Sequence, residues 1–217
     1  MAIRVLLVDD HAVVRDGLRF LLEAGGNITV VGEAADGRQA VRQVQALLPE
    51  VVVMDIAMPE LNGIEATQQI RQACPSTQVV ILSMYATKEH ILRALRAGAN
   101  GYLLKESAGQ EVVDAIRAVR AGRRYLSQSI TETVIDDYVH ERQAPPAQSP
   151  LERLSSRERE ILQLVVEGKS STEIAEILYL SPKTVETYRS RLMRKLGLSD
   201  LPSLVKFAIQ HGLTPLV

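Results

Sequence analysis

Hydrophobic residues in the first half of the chain come in short unbroken runs, and each run hands over to a polar residue. Val5-Leu6-Leu7-Val8 leads into Asp9-Asp10, Ile28-Thr29-Val30-Val31-Gly32 into Glu33, Val51-Val52-Val53-Met54 into Asp55, Val79-Val80-Ile81-Leu82 into Ser83, and Gly101-Tyr102-Leu103-Leu104 into Lys105. Runs of β-branched and leucine residues without polar alternation belong to strands covered on both faces, which predicts a parallel sheet. Between and after the runs, apolar residues fall at helical spacing over 16–22, 37–44, 64–73, 88–97 and 110–121. Five β/α units joined by right-handed crossovers give a doubly wound parallel sheet. Asn62-Gly63 and Ala97-Gly98-Ala99-Asn100-Gly101 mark turns.

After Gly122 the pattern changes. Residues 130–142 read as one polar helix, and Gln143-Ala144-Pro145-Pro146-Ala147-Gln148-Ser149-Pro150 has the composition of a linker. Every element beyond it is predicted helical. Ser155-Ser156-Arg157-Glu158 is a capping box opening a helix to about Val166, and Ser170-Ser171-Thr172-Glu173 opens another to about Leu178. Ser181-Pro182 supplies an N-cap and first-turn proline for a third helix, which Gly197 ends, and 201–210 forms a fourth. The predicted domains are therefore 1–122, a linker helix and Pro-rich linker over 123–150, and 151–217.

With 217 residues and 46% hydrophobic content the chain can fill two modest cores. No stretch approaches the roughly 18 apolar residues of a membrane span, and the start enters a strand without a signal-peptide hydrophobic region, so a cytoplasmic protein with no membrane partner is expected. The one cysteine, Cys74, has no partner for a disulfide and no metal-site spacing, in keeping with a reducing compartment. The net charge of −1 excludes a uniformly basic nucleic-acid binder. From Leu151 onward, however, ten basic residues stand against eight acidic ones, while the first 150 residues carry 15 against 18. That asymmetry permits a basic face near the C-terminal end.

In open α/β sheets the site lies at the carboxyl ends of the strands. Aligned runs would bring Asp9, Asp10, Asp55, Ser83 and Lys105 to one crevice, with Glu33 left as scaffold. Paired aspartates are hard oxygen donors that suit Mg2+, or Mn2+ in its place, and leave coordination sites for water or phosphate oxygens. An Asp carboxylate is also a nucleophile able to form an aspartyl phosphate. Lys105 would neutralise one phosphoryl oxygen and Ser83 donate to another.

Asp9-Asp10, Met54-Asp55-Ile56-Ala57-Met58-Pro59 with Asn62-Gly63, then Ser83 and Lys105, resemble the receiver domain of two-component response regulators in order, spacing and strand-end placement. The resemblance implies a flavodoxin-like five-stranded sheet and phosphoryl transfer to Asp55 from a sensor histidine kinase. It implies Mg2+ held by Asp10, Asp55 and the backbone carbonyl of Ala57, with Asp9 acting directly or through water. It also implies a switch in which Ser83 swings to the phosphoryl group and Tyr102 changes exposure; on residue type alone Tyr102 is equally a core aromatic. Ala57 offers no side chain to position a hydrolytic water and Tyr85 is placed to screen the acyl phosphate, so slow self-dephosphorylation is expected.

In the second half, 173–179, a short turn at Leu180-Ser181, and 182–196 have the lengths and tight connection of a helix-turn-helix. Its second helix carries Lys183, Arg189, Arg191, Arg194 and Lys195 against Glu186 alone, with Val185, Leu192 and Leu196 on one apolar stripe. Leu154-Ser155-Ser156-Arg157-Glu158, Ile174-Ala175, Leu180-Ser181-Pro182-Lys183-Thr184-Val185 and Lys195-Leu196-Gly197 resemble the LuxR-type helix-turn-helix over about 151–215. Joined to a receiver, the chain is similar to the NarL/FixJ class of transcriptional regulators. By position in that motif Lys183, Thr184 and Arg191 would contact phosphates, Glu186, Thr187 and Ser190 would face base edges, and Arg189, Arg194 and Lys195 would add field. Tyr188 stands where relatives often carry His and can still bond a phosphate. The fourth helix is where such domains pair on DNA, although its apolar face suits a core equally well.

The resemblance thus implies a phosphorylation-switched transcription factor, not an enzyme, that forms a homodimer on activation and reads paired half-sites of promoter DNA, with RNA polymerase a further partner. Two enzyme readings fail on single residues. An aspartyl-nucleophile phosphatase needs a general-acid Asp where Ala57 stands, and a nicotinamide-binding oxidoreductase needs a glycine-rich turn where Asp9-Asp10-His11-Ala12 stands.

Overall fold

A computed structural model describes residues 2–140, 149–211 and 213. They divide into two compact units, one drawn from the first 145 residues and the other essentially from the remainder. In the first, β1 (Ile3–Val8), α1 (Ala12–Ala24), β2 (Ile28–Ala34), α2 (Gly37–Leu47), β3 (Val51–Met54), α3 (Gly63–Ala73), β4 (Gln78–Ser83), α4 (Lys88–Ala97) and β5 (Gly101–Leu104) alternate along the chain. A 3-10 turn (Lys105–Ser107), α5 (Ala108–Arg120), β6 (Tyr125–Leu126) and α6 (Gln128–His140) follow. The strands pair in parallel in the order β2-β1-β3-β4-β5-β6.

Helices cover both faces of the sheet, with α1 beside α5, and α2, α3 and α4 packed in series. Successive side chains of a strand point to opposite faces, and here both sets are buried. Val5, Leu7, Val51, Val53, Val80, Leu82 and Leu103 join Leu18, Leu22, Val112 and Ile116 in one cluster. The alternate residues Leu6, Val8, Val52, Met54, Val79, Ile81 and Tyr102 are buried as well. This two-sided burial is the physical reason the runs lack polar alternation. Glu33 lies inside β2 and bonds Arg15 and Arg19 of α1 at 3.0 and 2.6 Å, a brace between helix and strand.

The sheet has six strands where the sequence pattern predicts five. β6 is two residues long and pairs Tyr125 with Gly101 and Leu126 with Tyr102. So short a strand has no hydrophobic period to read, and it falls in the segment assigned to the linker. The helix predicted over 130–142 is α6; Arg142 and most of the Pro-rich stretch lie outside the described residues. Pro150 already belongs to a 3-10 turn (Pro150–Arg153) that buries Leu151.

The second unit is all helical, with α7 (Ser156–Val166), α8 (Ser171–Leu178), α9 (Pro182–Leu196) and α10 (Leu201–Gln210). Both capping boxes form. The Ser155 hydroxyl accepts the Glu158 N–H while the Glu158 carboxylate accepts the Ser155 N–H, and Ser170 and Glu173 repeat the arrangement. Ser181 caps α9 and Asp200 caps α10. Leu154, Ile161, Leu162, Leu164, Ile174, Leu178, Val185, Leu192 and Leu204 share one core. Among the described residues no helix is long and apolar enough to cross a membrane.

One glycine is dictated by space. Gly63 opens α3 beneath the Asp55 loop, and a Cβ there would lie 1.8 Å from the Asp55 carbonyl oxygen. Since backbone cannot yield as a side-chain tip does, Gly63→Ala should destabilise the first unit by about 3 kcal/mol, at the upper end for overpacking. Denaturant titration checks it, and a loss under about 1 kcal/mol would show that the loop relaxes at little cost.

Candidate functional site

The strand order sets β1 beside β3 and β4 beside β5, so the polar residues that end the runs meet at one end of the sheet. The Asp55 N–H bonds the Val8 carbonyl at 2.8 Å, which continues the β1–β3 pairing past both strands and brings Asp55 next to Asp9. Lys105, first residue of the turn after β5, lies with Nζ 2.7 Å from Asp9 Oδ2 and 2.7 Å from Asp55 Oδ2. Asp55 Oδ1 accepts the Ile56 N–H at 2.7 Å. On the other side of Asp55, Asn62 Oδ1 caps α3 by accepting from Ile64 and Glu65 N–H, which fixes the loop that contains half-buried Ala57.

Asp9 and Asp55 are 2% and 4% exposed, so two carboxylates share one ammonium almost out of contact with water. Burial raises the Asp55 carboxyl to a pKa of about 6; Lys105 opposes this, and the Asp9 charge adds to it. Burial works against the Lys105 charge too, but the Asp55 and Asp9 carboxylates outweigh it and hold the ammonium above its ordinary value. The cluster is charge-deficient, with three carboxylates to one lysine.

Asp10 Oδ1 is buried without a hydrogen bond, and His11 Nδ1 stands 2.7 Å away as an ion-pair contact. His11 Nδ1 is also 3.2 Å from Asp9 Oδ1. One donor atom each from Asp9, Asp10, His11 and Asp55 lie within 4.8 Å of one another. An orphaned carboxylate oxygen within an acidic set of this spacing fits a divalent cation, with oxygen donors that favour Mg2+. From sequence His11 is expected to be a surface or capping residue, and it is exposed; what sequence does not show is that its Nδ1 faces both aspartates. It occupies the N-cap position of α1 without capping it, and its adjacency to Asp9-Asp10 was the available signal.

Ser83 and Tyr102 are both buried completely. Ser83 Oγ accepts the Tyr85 N–H at 3.1 Å rather than contacting Asp55, and the Tyr102 phenol donates to the Tyr85 carbonyl at 2.6 Å. Burial pushes the Tyr102 phenol up, with the nearby Ser83 hydroxyl working the other way. Tyr102 thus occupies the core position in this arrangement.

In the second unit the stripe predicted for α9 faces the core. Val185 and Leu192 are buried, and Leu196 packs partly against them. Lys183, Glu186, Thr187, Ser190, Arg191 and Arg194 are exposed; Thr184, Tyr188 and Arg189 are half-buried. Two hydroxyls are bonded locally on the exposed surface, since Thr187 Oγ1 donates to the Lys183 carbonyl at 2.9 Å and Thr184 Oγ1 lies 2.8 Å from Ser181 Oγ. Lys195 is not a free charge: its Nζ lies 2.6 Å from Glu158 Oε2, the carboxylate of the α7 capping box. Arg189 reaches Ser171 Oγ at 3.1 Å and Arg157 reaches the Leu178 carbonyl at 2.6 Å, so the start of α8 is tied to the middle of α9 and its end to the start of α7. The exposed residues left on α9 form a basic surface.

Two family profiles match, the response regulator receiver domain over residues 5–117 and the bacterial regulatory proteins of the luxR family over 152–208. The transcriptional regulatory protein MctR of Rhizobium johnstonii is 39% identical over 97% of this chain and 95% of its own length. The oxygen regulatory protein NreC of Staphylococcus carnosus is 37% identical over 97% and 98%. A LuxR-family two-component response regulator from Aurantimonas superposes with a TM-score of 0.63 and 41% identity, covering 64% of this chain and all of that one. The response regulator RcsB in complex with DNA superposes at 0.59 with 26% identity over 95% of this chain and 98% of that one.

The raised carboxyl of Asp55 has a consequence for stability in the absence of a divalent cation. A folded-state pKa near 6 against 3.8 means that the folded protein holds this proton more tightly than the unfolded chain. Asp55 therefore costs stability as pH rises from about 4 to about 6, by up to about 3 kcal/mol from two pKa units. Asp55→Asn should accordingly gain on wild type across that window and hold the gain above it. Parallel denaturant titrations at pH 4.5 and 7.5 in EDTA test it, and a constant difference between the two proteins would refute it.

Proposed function

The chain belongs to the two-component response regulators of the NarL/FixJ family, a receiver joined to a LuxR-type DNA-binding domain, and from that premise we propose that phosphorylation of Asp55 by a sensor histidine kinase drives dimerisation and binding to paired half-sites in promoter DNA. The observation that carries the reading is the buried Asp9–Lys105–Asp55 bridge beside the orphaned Asp10 oxygen.

In this reading an Asp55 carboxylate oxygen attacks the phosphorus of the kinase's phosphohistidine, a P–O bond forms, and the P–N bond breaks with the electron pair leaving on the imidazole. Asp10, Asp55 and the Ala57 carbonyl would hold Mg2+, with Asp9 direct or through water. When bound, that ion neutralises charge on the transferring phosphoryl group. Lys105, already paired to Asp55, turns to a phosphoryl oxygen. Ser83 gives up the Tyr85 N–H to donate to another, and Tyr102, bonded to the same loop, follows it. The protein accepts the group and is not a turnover enzyme. Ala57 supplies no side chain to align a water and Tyr85 screens the phosphorus, so the phosphoryl group is released slowly.

On the output side, α8 and α9 serve as a helix-turn-helix within a four-helix domain, with Lys183 and Arg191 on phosphates and Glu186 and Ser190 toward base edges. Lys195, paired with Glu158, supports α9 in place of contacting DNA. α10 carries two apolar stripes. Leu204 and Ala208 face the core, while Leu201, Pro202, Val205 and Ile209 line an outward apolar patch, the face we assign to a second copy on DNA. Cytoplasmic residence and contact with RNA polymerase accord with this role.

Full-length protein incubated with acetyl phosphate and Mg2+ should gain one phosphoryl adduct by intact mass, absent in Asp55→Asn, and elute as a dimer with tighter retention of promoter DNA. No adduct on wild type would sink the phosphoacceptor reading. Arg191→Ala should weaken DNA binding about tenfold and lower the slope of log K against log salt by close to one. An unchanged slope would remove Arg191 from the phosphate contacts. Val205→Glu should leave adduct formation intact and abolish paired half-site binding, measured by mobility shift on one-site and two-site duplexes.

A further inference from the structure

Tyr85 is held at three points. Its N–H donates to Ser83, its carbonyl accepts from Tyr102, and its ring lies flat on the His90 imidazole, with centroids 4.5 Å apart and planes within 8°. The first two bonds fix where the backbone runs. They leave the side-chain torsions of Tyr85 unrestrained, so the ring contact is what sets its direction. The His90 ring is anchored in turn, since its Nδ1 lies 2.7 Å from Oγ1 of Thr87, the N-cap residue of α4. A rigid helix start thus presents a flat aromatic face to the β4–α4 loop.

Tyr85 borders the phosphoryl pocket, since its N–H sits 3.1 Å from the Ser83 hydroxyl. Burial, and then the charge of Asp55, push its phenol above the ordinary value, which agrees with a ring on the Asp55 side of the loop. Hydrolysis of an aspartyl phosphate needs a water in line with the P–O bond. Water attacks phosphorus, the bond to Asp55 breaks and returns the carboxylate, and the water's proton leaves with inorganic phosphate. A ring fixed over that approach slows the step, and a ring free to rotate away does not. Aromatic pairs of this geometry shift a rotamer balance by about two- to tenfold.

We propose that His90 is a positioning residue that lengthens the life of the Asp55 phosphate by stacking on Tyr85 and holding its ring across the phosphoryl site. The inference rests on the reading of Asp55 as phosphoacceptor and adds to it a residue of α4 outside the pocket.

The test loads full-length wild type, His90→Ala, His90→Phe, Tyr85→Ala and the His90→Ala/Tyr85→Ala pair with acetyl phosphate and Mg2+, removes the donor, and follows loss of the adduct by intact mass. Melting curves identify any variant that fails to fold. His90→Ala and Tyr85→Ala should each shorten the half-life about three- to tenfold. The double variant should decay no faster than Tyr85→Ala, because His90 acts only through that ring. His90→Phe, which keeps the stack, should stay within twofold of wild type, an outcome that a loss of general packing would not produce. If His90→Ala melts below the assay temperature, His90→Leu takes its place, keeping bulk without an aromatic face. A wild-type lifetime in His90→Ala or Tyr85→Ala, additive shortening in the double variant, or a His90→Phe as short-lived as His90→Ala would each overturn the proposal. Failure of wild type to take up the adduct is a separate result, and it removes the phosphoacceptor reading and this proposal together.

Discussion

A lysine ammonium shared between two buried carboxylates is the interaction on which the first unit's chemistry depends. Lys105 Nζ touches Asp9 and Asp55 at equal distances, and those carboxylates are nearly inaccessible to water. Removing such charges from solvent is costly unless they are paired, and one lysine cannot satisfy three aspartates. The fold sustains that imbalance because the sheet is rigid. β1 and β3 are adjacent central strands buried on both faces, and the Gly63 contact and the Asn62 cap leave the Asp55 loop little room to move. The stored cost is what a bound divalent cation would relieve, so the burial that destabilises the resting site would add to its affinity for one.

Most of this was legible from two sequence signals, unbroken apolar runs and the residues that follow them. The runs reported two-sided burial, and parallel pairing then carried their ends to one place with no further information. β6 was not legible, because a two-residue strand is made by its partner β5 and has no pattern of its own. The place of His11 beside both aspartates was not legible for a different reason. Its type and position suit a helix cap equally well, and only side-chain geometry shows that it turns from α1 toward the acidic pair. Tyr102 could be read as core or switch, since composition does not distinguish a ring that is buried permanently from one buried in a single state.

The helical unit shows the same division. Capping boxes are local, so Ser155–Glu158 and Ser170–Glu173 could be named from four-residue windows, and both form. The apolar stripe of α9 was equally local. Long-range polar ties were not, because nothing in the spacing links Arg189 to Ser171 or Arg157 to the Leu178 carbonyl. These bonds cross-link helices whose order alone is written in the sequence.

The pairing of Lys195 with Glu158 bears on how the protein would be mapped genetically. By position Lys195 stands in a row of cations on α9, yet its partner is the carboxylate that also closes the start of α7. A screen for lost repression or activation would recover Lys195 beside Arg191, and the two alleles would look alike on a plate. They would part under suppressor selection. A defect at Lys195 is open to rescue from α7, through a residue that relieves the stranded Glu158, whereas one at Arg191, with the phosphate role proposed for it, would answer only to changes in the operator or in neighbouring phosphate contacts. Allele-specific suppression would therefore separate residues that hold the reading helix from residues that read with it.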